Sequence, residues 1–311
     1  MFGRDHWFYT KNILTLEGAG EGEPFLSGQL RASEEMLSKV LLDKEYKPDH
    51  SMNFPAKRIT TELKWDELVT DYQVMEALQE INTWISGSST IMEKWDLKRF
   101  LKAGFRTLFY GPPGTGKTLA ATLLGKQNKM DVYRIDLSMI VSKYIGETEK
   151  NLAHIFDLAE NRDWILFFDE ADALFGKRTS TNTANDRHAN QEVAYLLQRI
   201  EDFPGIVILA TNLKNNIDEA FSRRFQSSIY FPMPDEDMRY RLWSNMLPNK
   251  WLGTTKEEEK DRILKQISGY ELSGGSISNI IRRYALKMLS ADSLELRPGI
   301  LEDFIRQELH K

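Results

Sequence analysis

Eight residues with the sequence GPPGTGKT, Gly111 to Thr118, lie between a short apolar run that ends at Tyr110 and a helix-like stretch, Leu119 to Lys126. Such a pattern is typical of a phosphate-binding loop, because glycines let the backbone turn its N–H groups around a polyphosphate and a helix N-terminus adds a positive dipole end. The lysine would reach the terminal phosphates, and the last threonine hydroxyl would hold Mg²⁺. We therefore expect ATP or GTP to contact Gly111, Pro112, Pro113, Gly114, Thr115, Gly116, Lys117, Thr118 and Leu119.

A second apolar run, Ile165 to Phe168, is short enough for a buried parallel strand and ends in the acid pair Asp169-Glu170. Asp169 would hold Mg²⁺ through water, and Glu170 would orient and deprotonate the attacking water. An isolated acid pair after a strand is commonly a solvated surface feature. Together with the loop upstream, however, the pair predicts nucleotide hydrolysis.

A third apolar run, Ile206 to Ala210, is followed by Asn212, which could position the same water, although an Asn after a strand is usually a turn residue. Arg223 and Arg224 then precede the last predicted strand, residues 228–231. An Arg pair there is ordinarily a solvated surface feature. In phosphoryl transfer, however, a guanidinium supplied across a subunit boundary stabilises the developing charge.

Taken in order, these four motifs resemble the AAA+ ATPase family in its protein-remodelling branch, from about Trp65 to Arg283. The resemblance implies ATP and Mg²⁺ as cofactors and a ring, usually a homo-hexamer. It also implies a role for each motif: Walker A at Lys117 and Thr118, Walker B at Asp169 and Glu170, the first sensor at Asn212, and arginine fingers at Arg223 and Arg224 that act on the neighbouring subunit.

The segment VSKYIGETEKN, residues 141–151, is similar to the first pore loop of that branch, in which Lys143, Tyr144 and Ile145 would line a central channel and grip a polypeptide. A tyrosine on a mobile loop offers a flat, sequence-tolerant contact surface. The alternative is a tyrosine that packs under its own loop. Residues 143–152, 169–178 and 186–190 also look similar to the AAA+ ATPases encoded with contractile injection systems, which often carry a longer N-terminal region.

Two further segments resemble nucleotide contacts of the family. The stretch Trp65 to Val69 is similar to the entry into an AAA+ domain, where the backbones of Leu68 and Val69 would cover the adenine. Many AAA+ branches place an Arg at the start of the third lid helix, whereas this chain has small residues there. The resemblance therefore implies nucleotide contact from Gly275 and Ser276.

Strands that alternate with helical stretches predict an α/β fold with a three-layer parallel sheet, and the helical stretches after it predict a compact all-α bundle. The resemblance identifies the two parts as a P-loop NTPase domain and a small all-α AAA+ lid. The predicted strands are 105–110, 132–136, 164–168, 206–211 and 228–231, and the predicted lid helices are 237–246, 256–267, 276–289 and 300–310. We expect three domains: an N-terminal extension (1–60) with a Gly/Glu-rich linker and one amphipathic helix from Gln29 to Leu42, the ATPase domain (61–235) and the lid (236–311).

The composition limits the functional classes. A net charge of −5 over 311 residues argues against a nucleic-acid partner, and the absence of cysteine removes disulfides and Cys-type metal sites. The sequence shows no apolar run long enough to cross a bilayer and no signal peptide. We expect a cytoplasmic protein without a membrane partner.

The favoured function is that of an ATP-driven hexameric protein remodeller or unfoldase. One alternative is a DNA-directed AAA+ ATPase of the helicase-loader type, disfavoured by the acidic balance, the small residues near Ser276 and the aromatic pore loop. The other is a non-translocating nucleotide switch that scaffolds a larger assembly. In that case Tyr144 would be dispensable.

Overall fold

The fold is that of a computed structural model, which describes residues 8, 13–16, 29–43, 47–48, 50–51, 54–137, 147–160, 162–172, 184–212, 223–252, 257–290 and 296–310. The chain divides into two compact units, Met1–Phe54 and Pro55–Lys311. The expected domain boundaries after residues 60 and 235 remain predictions.

The first unit contains a two-stranded antiparallel sheet and a helix. Strand β1 (Leu14–Leu16) pairs with β2 (Leu30–Ala32), and helix α1 spans Glu34–Leu42. The sequence predicted a helix from Gln29, and its start was wrong, because the first residues of that range pair with β1. Ser33 then begins the helix as its N-cap, since its hydroxyl accepts a hydrogen bond from Met36 N at 3.1 Å.

A six-stranded sheet forms the centre of the second unit. Its strands are β3 (Ala56–Ile59), β4 (Phe105–Tyr110), β5 (Asp131–Asp136), β6 (Trp164–Asp169), β7 (Ile206–Thr211) and β8 (Ser227–Tyr230), and their order across the sheet is β3-β5-β6-β7-β4-β8. Strands β4 to β8 are parallel and lie within one residue of the predicted strands.

The sheet has one further strand that the sequence analysis did not predict, and this strand makes one edge antiparallel. Strand β3 pairs antiparallel with β5, with Ala56 opposite Ile135 and Ile59 opposite Val132. The sequence of β3 is Ala-Lys-Arg-Ile, and only its first residue is fully buried. A short edge strand with charged side chains lacks the apolar run by which the buried strands were recognised.

Among the described residues, four helices accompany the sheet: α2 (Tyr72–Ser89), α3 (Lys117–Asn128), α4 (Glu147–Ala159) and α5 (Ala184–Asp202). A π-helical turn, Thr90–Lys94, follows α2, and a 3₁₀ turn, Trp65–Glu67, precedes it. Helices α2 and α3 share one hydrophobic cluster with the sheet, which includes Leu78, Leu124, Phe109 and Phe167. This packing holds the N-terminus of α3 against the carboxyl ends of the parallel strands.

The C-terminal part of the described chain is helical: α6 (Glu236–Met246), α7 (Asn249–Leu252), α8 (Glu257–Ser268), α9 (Gly274–Ser290) and α10 (Pro298–Leu309). Its core surrounds Trp243 and Tyr284, which are fully buried. Buried Arg239 connects the region, since its Nε donates to Ser268 O at 2.6 Å and its Nη1 donates to Pro234 O at 2.7 Å. Within the described ranges, no helix is both long and apolar enough to span a membrane.

Candidate functional site

The loop between β4 and α3 has a backbone that only glycine adopts readily. Gly111, Gly114 and Gly116 have φ values of 139°, 75° and 103°. A Cβ at Gly111 would lie 2.2 Å from Phe231 O, and one at Gly114 would lie 2.5 Å from Ser273 Oγ. The loop therefore closes tightly over the sheet and presents the free N–H groups of the first turn of α3, the arrangement that favours a bound phosphate.

Lys117, the first residue of α3, is buried beneath this loop. Its Nζ donates hydrogen bonds to Gly111 O at 2.7 Å, to Pro112 O at 2.8 Å and to Asn212 Oδ1 at 3.0 Å. Burial lowers the pKa of Lys117 to about 8, against the opposing effect of the nearby Asp169 and Asp172 carboxylates. The ammonium group is thus held where a polyphosphate on the loop would meet it.

The acid pair lies at the carboxyl end of β6, next to that lysine. Asp169 is half-buried, and its Oδ1 accepts a hydrogen bond from Glu170 N at 3.0 Å. Glu170 is exposed and takes a left-handed backbone conformation with φ of 53°. Ala171 N donates to Ala210 O at 2.9 Å, which ties the turn after β6 to β7. Both acids line the same cavity.

Asp172 fixes the end of β7. Its Oδ1 accepts hydrogen bonds from the Thr211 hydroxyl and, at 3.1 Å, from Asn212 N. The Asn212 side chain then accepts the bond from Lys117 already described. Sequence reasoning gave Asp172 no role, although its place three residues after Asp169 was a usable signal.

One cavity of about 430 Å³ brings these groups together, a volume within the range of small-molecule sites. Lys117, Thr118, Asp169, Glu170 and Asn212 all line it. The other predicted nucleotide contacts that line it are Pro113, Gly114, Thr115, Gly116, Leu119, Leu68, Val69 and Gly275. The predicted sensor and acids therefore meet the predicted loop in one place.

Three predicted nucleotide contacts do not line the cavity. Gly111 and Pro112 offer their carbonyls to Lys117 instead, and Ser276 N donates to Ser273 Oγ at 3.1 Å. Gly275 reaches the loop directly, because its N–H donates to Gly114 O at 3.0 Å. The start of α9 therefore binds the phosphate-binding loop through the backbone of Gly275.

Sequence reasoning missed the rest of the lining, which is largely apolar. It comprises Leu63, Glu67, Thr70, Pro232, Pro234, Met238, Leu242, Met246 and Gly274. Met238, Leu242 and Met246 lie on α6, where their helical spacing is indistinguishable from that of core residues. An apolar wall of this kind suits an aromatic base.

The two predicted finger residues lie outside this lining. Arg223 and Arg224 are exposed just before β8, and Arg224 Nη1 is 2.7 Å from Glu201 Oε1 at the end of α5. The pore-loop residues Lys143, Tyr144 and Ile145 lie outside the described residues. The fingers and the pore loop therefore remain predictions.

The residues at this site are suited to Mg²⁺ that is bound together with a nucleotide. They do not form a metal site made of protein ligands alone. In the part of the chain that the structure describes, no three His, Cys, Asp or Glu side chains gather into a metal site. Exposed Thr118 and half-buried Asp169 both line the cavity. Mg²⁺ commonly takes one or two protein oxygens and completes its shell with water and phosphate, so this donor set is sufficient.

Comparison with known proteins agrees with this arrangement. Cell division protein C of Sulfolobus acidocaldarius is 34% identical over 212 residues, which cover 63% of this chain and 55% of that protein. Vacuolar protein sorting-associated protein 4B of Mus musculus is 36% identical over 179 residues, which cover 56% of this chain and 40% of that protein. The chain thus spans only about half the length of such relatives.

Among solved structures, the FIGL-1 AAA domain in complex with ADP has a similar fold, with a TM-score of 0.60 and 24% identity over 81% of this chain and 86% of that chain. Residues 107–233 match the family described as "ATPase family associated with various cellular activities (AAA)". This range begins within β4 and ends shortly after β8. It contains the glycine loop, the acid pair and Asn212. The chain therefore contains an AAA ATPase domain with relatives in the protein-remodelling branch of that family.

Proposed function

We propose that the protein hydrolyses ATP and uses the energy to remodel or unfold other proteins. The observation that carries the first part is the convergence of Lys117, Asp169, Glu170 and Asn212 on one cavity beside a glycine loop and a helix N-terminus. A lysine, a metal-binding acid, a base and a polar amide are the groups that phosphoryl transfer to water requires.

Each residue has a part in the proposed reaction. Lys117 would exchange its three oxygen partners for phosphate oxygens, and Thr118 and Asp169 would hold Mg²⁺. Mg²⁺, when bound, would neutralise part of the negative charge of the phosphates. Glu170 would take a proton from the attacking water, and Asn212, held by Asp172, would orient that water.

We also propose that copies of the chain form a ring, a homo-hexamer, and the position of the fingers supports this arrangement. Arg223 and Arg224 are exposed and do not line their own cavity. A guanidinium that stabilises the transition state would then come from another copy of the chain. Relatives in the remodelling branch support a polypeptide substrate, which Tyr144 would grip. The cytoplasmic location expected from the sequence stays a prediction.

The test is the response of phosphate release to possible substrates. We expect an unfolded protein, such as reduced carboxymethylated lactalbumin, to stimulate ATP hydrolysis by the purified chain. Single- or double-stranded DNA at the same mass concentration should have no effect. The Glu170→Gln variant serves as the background control, because it lacks the base.

Stimulation by DNA alone would replace this proposal with the DNA-directed alternative. Hydrolysis that responds to neither polymer would favour a nucleotide-switch scaffold. An absence of hydrolysis in the intact chain, with the Glu170→Gln variant still binding ATP, would mean that the cavity binds nucleotide without turning it over.

A further inference from the structure

Arg134 lies in the middle of β5 and forms an ion pair with the Walker B acid Asp169. Its Nε is 3.0 Å from Asp169 Oδ2, an ion pair that lacks the alignment of a hydrogen bond. The side chains are 40% and 19% exposed, so the pair is partly shielded from water. Sequence reasoning gave Arg134 no role, since one Arg in a strand of mixed polarity is ordinarily a surface residue.

The register of the sheet explains the contact. In the parallel pair β5 and β6, Arg134 is opposite Phe167 and Asp136 is opposite Asp169. Alternation along a strand places Arg134 and Asp136 on the same face, so Arg134 is the diagonal neighbour of Asp169. The same register puts two carboxylates opposite each other, an arrangement that is unfavourable without a nearby cation.

Both carboxylate oxygens of Asp169 are engaged by the protein itself. Oδ1 accepts the hydrogen bond from Glu170 N, and Oδ2 faces Arg134. Lys117 Nζ donates its hydrogen bonds to two loop carbonyls and to Asn212. Arg134 is thus a cation that contacts Asp169 directly, at Oδ2, whereas Lys117 donates its hydrogen bonds to other oxygens.

We propose that Arg134 is a positioning residue that competes with Mg²⁺ for Asp169 and so sets the Mg²⁺ concentration at which the nucleotide site fills. The inference rests on the proposed function, because it assumes that Asp169 serves Mg²⁺ and nucleotide. Two cations that share one carboxylate oppose each other. Arg134 therefore raises the Mg²⁺ concentration that is needed to fill the site.

The size of the effect follows from the exposure of the pair. Partly exposed ion pairs are worth little because water screens them, which corresponds to a change of roughly two- to fivefold in an equilibrium constant. The Arg134→Gln variant should therefore fill with Mg²⁺ at a concentration roughly two- to fivefold lower than the wild type. Arg134→Lys keeps the charge and should stay close to the wild type.

The chain supplies a matched control in an arginine of the neighbouring strand that pairs with an aspartate of β5. Arg58 of β3 pairs with Asp131 of β5 at 2.7 Å, and its side chain is also 40% exposed. That pair lies at the amino end of β5, whereas Asp169 lies at the carboxyl ends of the parallel strands. Arg58→Gln removes the same charge at the far end of β5 and should leave the Mg²⁺ midpoint unchanged.

The experiment is a binding titration that requires no turnover. A fluorescent ADP derivative is mixed with each variant of the whole 311-residue chain in EDTA, and Mg²⁺ is added until the fluorescence change saturates. Thermal unfolding checks that each variant is folded. Arg134→Met, which keeps most of the aliphatic stem, replaces Arg134→Gln if the latter is unstable.

A lower midpoint in Arg134→Gln, with Arg134→Lys and Arg58→Gln unchanged, supports the inference. A midpoint that is unchanged or higher in Arg134→Gln overturns it, and so does an equal shift in Arg58→Gln, which would indicate a general charge effect. If the wild type itself shows no Mg²⁺-dependent nucleotide signal, the proposed function fails rather than the role of Arg134 alone.

Discussion

Lys117 and Glu170 line the same cavity with opposite charges and different surroundings. The lysine is buried and bonded to three oxygens, whereas the glutamate is exposed on a left-handed turn. A buried cation is suited to holding an anionic ligand, and an exposed acid near the ligand is suited to proton transfer. Binding and turnover should therefore be separable by substitution.

We expect Lys117→Ala to abolish nucleotide binding, because the β- and γ-phosphates lose their counter-ion. Glu170→Gln should bind ATP with nearly unchanged affinity and stop turnover, since an amide cannot take a proton from water. Calorimetric titration with ATP, paired with a phosphate-release assay, measures both quantities. Productive hydrolysis by the Gln variant would show that another group is the base.

The lowered pKa of Lys117 predicts a pH dependence of nucleotide affinity. Burial brings that pKa to about 8, and bound phosphates, being anions, should raise it again. Above pH 8 the bound form then holds a proton that the free form has lost, so affinity falls as pH rises. Between pH 7 and pH 9 the Kd for Mg-ADP should weaken roughly tenfold.

Calorimetry at pH 8.5 in two buffers of different ionisation enthalpy would detect the proton taken up on binding. Below pH 7 the lysine is protonated in both forms, so no uptake by Lys117 is expected there. An affinity that stays flat from pH 7 to pH 9 would contradict the lowered pKa.

At the scale of elements, the buried strands and the glycine loop were predictable and the edges were not. Strand β6 is apolar in its first five residues, which leaves few alternatives, and the loop was recognisable after β4 because glycines permit its turns. Strand β3 and the start of α1 depend on pairing with distant partners, which a local pattern does not contain. The same reason hid Arg134, whose role exists only through the register with β6.

The loop glycines should be far less tolerant than a glycine in a helix. Gly111→Ala would place a Cβ 2.2 Å from Phe231 O at a φ of 139°, and we expect the free energy of unfolding to fall by about 2 kcal/mol or more. The Cβ of Gly87→Ala in α2 would meet nothing within 4 Å, and this variant should raise the free energy of unfolding by about 0.4–1 kcal/mol. Urea unfolding of both variants provides the comparison. Equal stabilities would mean that the loop relaxes freely around the new methyl group.

At the scale of the whole assembly, Arg224 should act on a neighbouring copy. Arg224→Ala should then keep its nucleotide affinity while hydrolysis falls about 10³-fold or more. Mixing this variant with Lys117→Ala gives the sharper test, because one supplies an intact cavity and the other supplies an intact finger. Hydrolysis should partly return in mixed rings. If mixed rings form and no ratio restores activity, the finger does not act between subunits.

The last prediction separates a machine that moves polypeptide from a switch that holds an assembly. If residues 143–147 grip a polypeptide through shape-tolerant apolar contact, Tyr144→Ala should stop unfolding while ATP hydrolysis continues, because the proposed nucleotide contacts do not include Tyr144. Tyr144→Phe and Tyr144→Trp should retain most unfolding, since ring area and planarity rather than the hydroxyl provide the grip. Loss of fluorescence from a tagged client, followed together with phosphate release, measures both activities in one reaction. A Tyr144→Ala protein that unfolds the client at the wild-type rate would exclude threading by this loop and favour the scaffold.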